Sequence, residues 1–138
     1  MIWLILTGLC LIIAATGKAV MDTLRFHFST SVFSEYAGNL FIDPSVSWRN
    51  KYKNGDHKQG ERFTGSTTIF VFTTDLWHLA QFFFLRFFFA AIICYHLSPG
   101  LSVLVYDLGL WNMAIDYVAL SAVFGATFTL FYSKILKK

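Results

Sequence analysis

The chain has 138 residues and a mass of 15.7 kDa, enough for one domain, and 56% of it is hydrophobic with only 14% charged, where soluble domains carry about a quarter. With a mean hydropathy of +0.56, 16 phenylalanines, a net charge of +3 and two cysteines, the composition excludes a water-soluble enzyme of this size, which could not bury so much apolar surface. It also excludes a disordered chain, a nucleic-acid-binding module and a disulfide-stapled secreted fold, leaving a small all-α integral membrane protein.

The first apolar run, Ile2 to Val20, is broken only by Thr7, Thr16 and Lys18 and is long enough to cross a bilayer core of about 30 Å. No basic residue precedes it and two more membrane-length segments follow, so it reads as a retained span over about residues 2–21 and not as a cleaved signal. From Met21 to Tyr36, Asp22, Arg25 and Glu35 alternate with Leu24, Phe28, Val32 and Phe33, which predicts an amphipathic extension of this helix.

Residues 37–66 follow as a long polar loop with turn signals at Gly38-Asn39, Asp43-Pro44, Asn54-Gly55, Gly60 and Gly65. Loops of this length are uncommon unless functional or disordered, and the aromatic residues Phe41, Trp48, Tyr52 and Phe63 argue for order. Within it Trp48, Arg49, Asn50, Lys51 and Tyr52 interleave basic and amide groups with interfacial rings, and Arg62 follows nearby. That combination suits an anion or a lipid headgroup.

The second span is expected over about 67–96, ending at Ser98-Pro99-Gly100, where proline and glycine stop a helix. The third is expected near 109–133, after a short interfacial piece at 101–108; a fourth span would place the C-terminal lysines on the wrong side. Arg25, Arg49, Lys51, Lys53, Lys58 and Arg62 lie between the first two spans, and Lys134, Lys137 and Lys138 close the chain. The positive-inside rule therefore puts the N-terminus outside and residues 22–66 and the C-terminus in the cytoplasm of, by expectation, a bacterial inner membrane.

The stretches SWRNKYKNG from Ser47, ERFTGSTT from Glu61 and DLWH from Asp75 resemble a group of uncharacterised small bacterial integral membrane proteins. The likeness covers about a quarter of the chain and implies a membrane location, with no activity or catalytic residue attached.

Ionisable groups in apolar spans are costly and call for a partner or a task. On one continuous helix, Thr68, Asp75, His78 and Arg86 would form a single polar stripe. Asp22 and His27 at the end of the first helix would join Asp75 and His78 in one layer near the inner face, with Tyr132, Ser133 and Lys134 at the same level. The simplest reading of that layer is structural pairing between helices, but two chemical alternatives remain open. His27, His78, Asp22 and Asp75 are competent ligands for a divalent metal. His78 oriented by Asp75 is a candidate acid/base pair acting on a lipid headgroup, with Ser66 or Ser133 as a nucleophile. Haem is disfavoured, because one histidine on each of two helices is accompanied by no other cofactor signature.

Asp116 is expected to meet Arg86 or water, Cys10 and Cys94 to be neighbouring free thiols, and His57 and His96 to be solvated or interfacial. Ser121, Gly125 and Thr129 recur every fourth residue, a pattern that lets helices approach closely within the chain, with a second copy or in a larger membrane complex. The resulting expectation is an accessory or lipid-interacting membrane component, with a membrane-embedded enzyme as the alternative.

Overall fold

A computed structural model describes residues 1–98, 100 and 111–138. Three helices dominate it: α1 (Ile2–Phe26), α2 (Leu76–His96) and α3 (Trp111–Leu130), the last continued by a wider π turn over Phe131–Ile135. All three are long and apolar enough to cross a membrane, and no strand occurs among the described residues. The expected interfacial piece at 101–108 lies outside the described residues.

Helix α1 is central and packs against both α2 and α3. Its buried positions, Thr7, Leu11, Ala14, Ala15, Gly17 and Ala19 among them, are mostly small. Small residues allow backbones to meet: a Cβ added at Gly17 would lie 2.8 Å from the Ala80 carbonyl oxygen and 3.1 Å from the Phe84 nitrogen. A close approach of α1 and α2 is therefore at Gly17. Ser121, Gly125 and Thr129 make no such approach among the described residues: all three are exposed, with open space around Gly125. Helix α3 instead meets its neighbours through bulky rings, with Phe124 against Phe84 and Phe88 and with Tyr132 against His27. The buried residues of α3 are the polar Asn112 and Asp116, while Met113, Tyr117 and Val118 face outward. That inside-out pattern is what a lipid solvent selects.

The second helix starts later than its apolar composition predicts. Residues 67–75 form turns and a short 3₁₀ segment, Val71–Thr73, and α2 begins at Leu76 with Asp75 as its N-cap. The Asp75 carboxylate accepts from the His78 backbone N–H at 2.9 Å, the bond that makes aspartate a strong helix start. Hydropathy marked Thr67 to Phe72 as span because it counts side chains, whereas the cap decides where the helical backbone begins.

The amphipathic extension of α1 is also shorter than expected. The helix ends at Phe26, and two 3₁₀ turns, Phe28–Thr30 and Val32–Tyr36, follow. The C-terminus clasps them: the Val32 N–H donates to the Leu136 carbonyl at 3.0 Å and the Lys138 N–H to the Thr30 carbonyl at 2.9 Å. The Lys138 ammonium, 2.8 Å from Glu35, holds that carboxyl below its usual range. The ends of α1 and α3 and the start of α2 therefore share one end of the molecule, where residues 27–75 form a cap.

Candidate functional site

The cap is organised by side chains that satisfy backbone groups, the task left when a chain folds without helix or sheet. Asp43 accepts from the Gly38 N–H at 2.7 Å and from the Ser45 hydroxyl at 2.7 Å and N–H at 2.8 Å; these bonds lower its pKa. Asn39 accepts from Phe41 and Ile42, and the Phe41 carbonyl receives the Leu76 N–H at 2.7 Å, tying this turn to the start of α2. Beyond it the chain reverses at Asn54-Gly55, both with positive φ, so that Lys53 and Tyr52 lie against Gly60 and Glu61.

Three of the four residues of the GSTT stretch have a structural reason. The Glu61 carboxylate accepts from the Thr67 hydroxyl and from the Gly65 N–H, and both bonds lower its pKa. Gly65 adopts φ +81°, which a side chain would strain. The fully buried Ser66 hydroxyl donates to the Lys51 carbonyl at 2.7 Å and accepts from the Arg62 N–H at 3.2 Å, joining the two arms of the reversal. That commitment corrects the reading of Ser66 as a nucleophile, since its proton and lone pair already serve the backbone.

This framework brings four of the six predicted anion-site residues together. Arg49, Asn50, Tyr52 and Arg62 line an open cavity of about 440 Å³ with Leu40 and Asn54. The Arg62 guanidinium donates to the Asn50 side-chain oxygen, and the Asn50 amide donates to the Thr74 carbonyl, which fixes one cationic wall to the lead-in of α2. Trp48 and Lys51 stand outside the cavity lining. The Trp48 ring packs edge-on to Tyr52 and carries the Arg49 guanidinium 5.4 Å from its centroid, and the Lys51 ammonium lies over Tyr52.

At the other end of that link the Asp75 carboxylate, 2% exposed, holds the His78 ring, with Nδ1 and Oδ2 2.6 Å apart and the Thr74 hydroxyl 3.2 Å from the same oxygen. The Asp/His pair is thus real, but it sits at the mouth of α2 and not deep within the span. Thr68 lies outside the helix, so the four-residue stripe reduces to His78 and Arg86 on α2 with Asp75 capping it.

The wider polar layer does not assemble into one ligand set. Asp22 pairs with Lys18 one turn earlier on α1, and the His27 ring packs edge-on to Tyr132 with centroids 5.4 Å apart. Among the described residues no group of three His, Cys, Asp or Glu side chains could hold a metal ion. His27 borders a separate cavity of about 120 Å³ with Ser31, Tyr132 and Ser133, on which the buried Thr23 hydroxyl opens without a protein partner. That space suits ordered water. Ser133 is therefore beside His27, with no place in the Asp75–His78 pair.

At the far end Asp116 accepts from the Tyr95 hydroxyl at 2.6 Å, and Arg86 forms no ion pair with it. The expected partners of Asp116 were Arg86 or water; the Tyr95 phenol, at the end of α2, reaches it instead of Arg86. Cys10 and Cys94 meet side chain to side chain as free thiols. Gly17 and the C-terminal clasp are the features that the sequence reading missed. Gly17 was legible as one of a run of small residues with Ala14, Ala15 and Ala19, whereas a backbone clasp leaves no side-chain signature.

Comparison with protein-family models, curated proteins and solved structures finds no match for this chain.

Proposed function

We propose that the protein is a small polytopic inner-membrane protein acting as an accessory, lipid-interacting component whose cap binds the anionic headgroup of a membrane lipid. The observation that carries this reading is the cavity in which Arg49 and Arg62 face a common space beside Asn50 and Tyr52. Two guanidinium groups with amide and phenol neighbours match the charge and the hydrogen-bond acceptors of a phosphate. The exposed Trp48 and Phe63 supply amphipathic and apolar contacts suited to the interface.

The clustering of basic residues at one end supports an orientation. Lys137 and Lys138 pair with Ser31, Thr30 and Glu35 at the end of the molecule that carries the cap and its basic residues, which favours a cytoplasmic cap and C-terminus with the N-terminus outside. The open face of α3 at Gly125 is where a second copy or another membrane subunit would pack.

The test is native mass spectrometry of the purified protein titrated with phosphatidylglycerol or phosphatidylcholine in mixed micelles. Loss of one bound phosphatidylglycerol per chain in R49A/R62A, with phosphatidylcholine binding unchanged, supports the reading; the same number bound with the same affinity in both proteins overturns it.

A second reading, acid/base chemistry on a membrane-associated substrate, is favoured by the short contact between buried Asp75 and His78. Asp75 would hold the imidazole through Nδ1 and leave Nε2 to exchange a proton. Turnover of a lipid headgroup lost in H78N, with lipid retention intact, would support it, and unchanged turnover in H78N would end it.

A further inference from the structure

Arg86 lies on α2 ten residues after its start, and the partner expected for it, Asp116, is engaged with Tyr95. Among the described residues Arg86 forms no ion pair; its guanidinium lies over the Phe82 ring, 5.5 Å from the centroid. Since Phe82 is one turn nearer the start of α2, the side chain points back toward the cap, as long helical side chains do.

There it borders an open groove of about 320 Å³. His78, Gln81 and Arg86 form its polar side, and Phe72, Phe82 and Leu85 its apolar side. Phe72 stacks on Phe82 with centroids 4.4 Å apart, so the lead-in lies flat against the first turns of α2 and leaves Ile69 76% exposed beside the groove.

Depth follows from the close approach at Gly17, which sets α1 beside Ala80 and Phe84. The Lys18–Asp22 pair is then level with the first turns of α2, and Asp22 is about 30 Å of helix rise from Ile2, one hydrocarbon thickness. The Arg86 backbone is within the apolar layer, and its side chain reaches back toward the edge of that layer.

On this register the Arg86 backbone is about 13 Å inside that layer, and the guanidinium, which has no carboxylate partner among the described residues, reaches back to the level of Phe82 and Gln81, where an anion drawn in from the interface along the groove would meet it. We propose that this groove seats one phospholipid, its phosphate on Arg86 and Gln81, His78 at the rim, and an acyl chain along Leu85 and Phe89. The site shares no residue with the cavity of Arg49 and Arg62, so either can fail without the other.

The test uses the full chain in the R49A/R62A background, which removes the cations of the cap cavity, and counts bound molecules by native mass spectrometry. Three probes separate the parts of the ligand: phosphatidylglycerol, a diacylglycerol with the same chains, and inorganic phosphate. Phosphatidylglycerol should bind in preference to both, R86Q should weaken it about tenfold, and R86K should retain most of the affinity. If R86Q does not fold, Q81L beside R86K supplies the comparison, with Q81L weakening retention. Equal retention in R86Q, inorganic phosphate competing as well as the lipid, or a change in oligomeric state in place of lipid loss would overturn the proposal, the last by assigning Arg86 to a contact between copies.

Discussion

The cap and the helices of this protein are held by different physics. Helices α1 and α2 meet through small residues, with the backbone of one against the backbone of the other at Gly17. In the cap the backbone seldom pairs with itself over long runs, and Asp43, Glu61, Ser66 and Asn39 answer its N–H and C=O groups one at a time. The helices thus depend on shape and the cap on polar satisfaction, and substitutions should separate the two.

The largest effect should come from Gly17→Leu, because its side chain would have to displace the α2 backbone and no rotamer avoids that. A loss on the order of 3 kcal/mol is expected, read as a lower melting temperature of the whole protein in detergent. Asp75→Ala acts at the junction of the two regions. It removes the N-cap of α2 and the partner of His78 together and should cost about 2 kcal/mol, the upper range for a lost cap; hydrogen exchange should rise at Trp77 and His78 first. Asp43→Ala should cost about 1 kcal/mol and raise exchange between Gly38 and Ser47 while leaving α1 protected.

Acid separates the regions without mutation. Hydrogen bonds from Gly38 and Ser45 to Asp43, and from Thr67 and Gly65 to Glu61, lower the pKa of each carboxyl in the folded cap. Groups lowered in this way stabilise the fold fully above their unfolded values near pH 4, and that contribution is lost as pH falls through the lowered folded values. Protection from amide exchange, relative to the intrinsic rate at each pH, should therefore fall in residues 37–70 below about pH 4 while the centre of α1 remains protected; loss of both together would mean that the cap and the helices are one cooperative unit. The smallest effect is expected from Gly125→Leu, within about 0.5 kcal/mol for the monomer, since nothing lies near that position. A large drop in melting temperature would show that α3 packs tightly there after all.

The same division explains how much the sequence revealed. Three helices were legible because about 20 apolar residues are a strong signal, and Arg49, Asn50, Tyr52 and Arg62 were legible as a set because rings and cations alternate near turn residues. The start of α2 was not, since Asp75 was read as a charge within a span when its carboxylate is a cap. Arg86 was assigned to Asp116 because helical spacing gives depth but not azimuth between helices, and Tyr95 took that carboxylate. Small residues every fourth position in α3 suggested the tight contact, yet the rings of Phe124 and Tyr132 hold α3 and leave that stripe outward.

Arg49 and Arg62, 13 positions apart in the chain, line one cavity of the cap, and the proposed anion site requires that they act on one ligand. A double-mutant cycle on affinity for short-chain phosphatidylglycerol, with R49A, R62A and R49A/R62A, tests it most directly. If both guanidinium groups hold the same phosphate, the double variant should lose clearly less than the sum of the single losses or more than that sum. Strictly additive losses, or no loss in either single variant, would contradict a shared site.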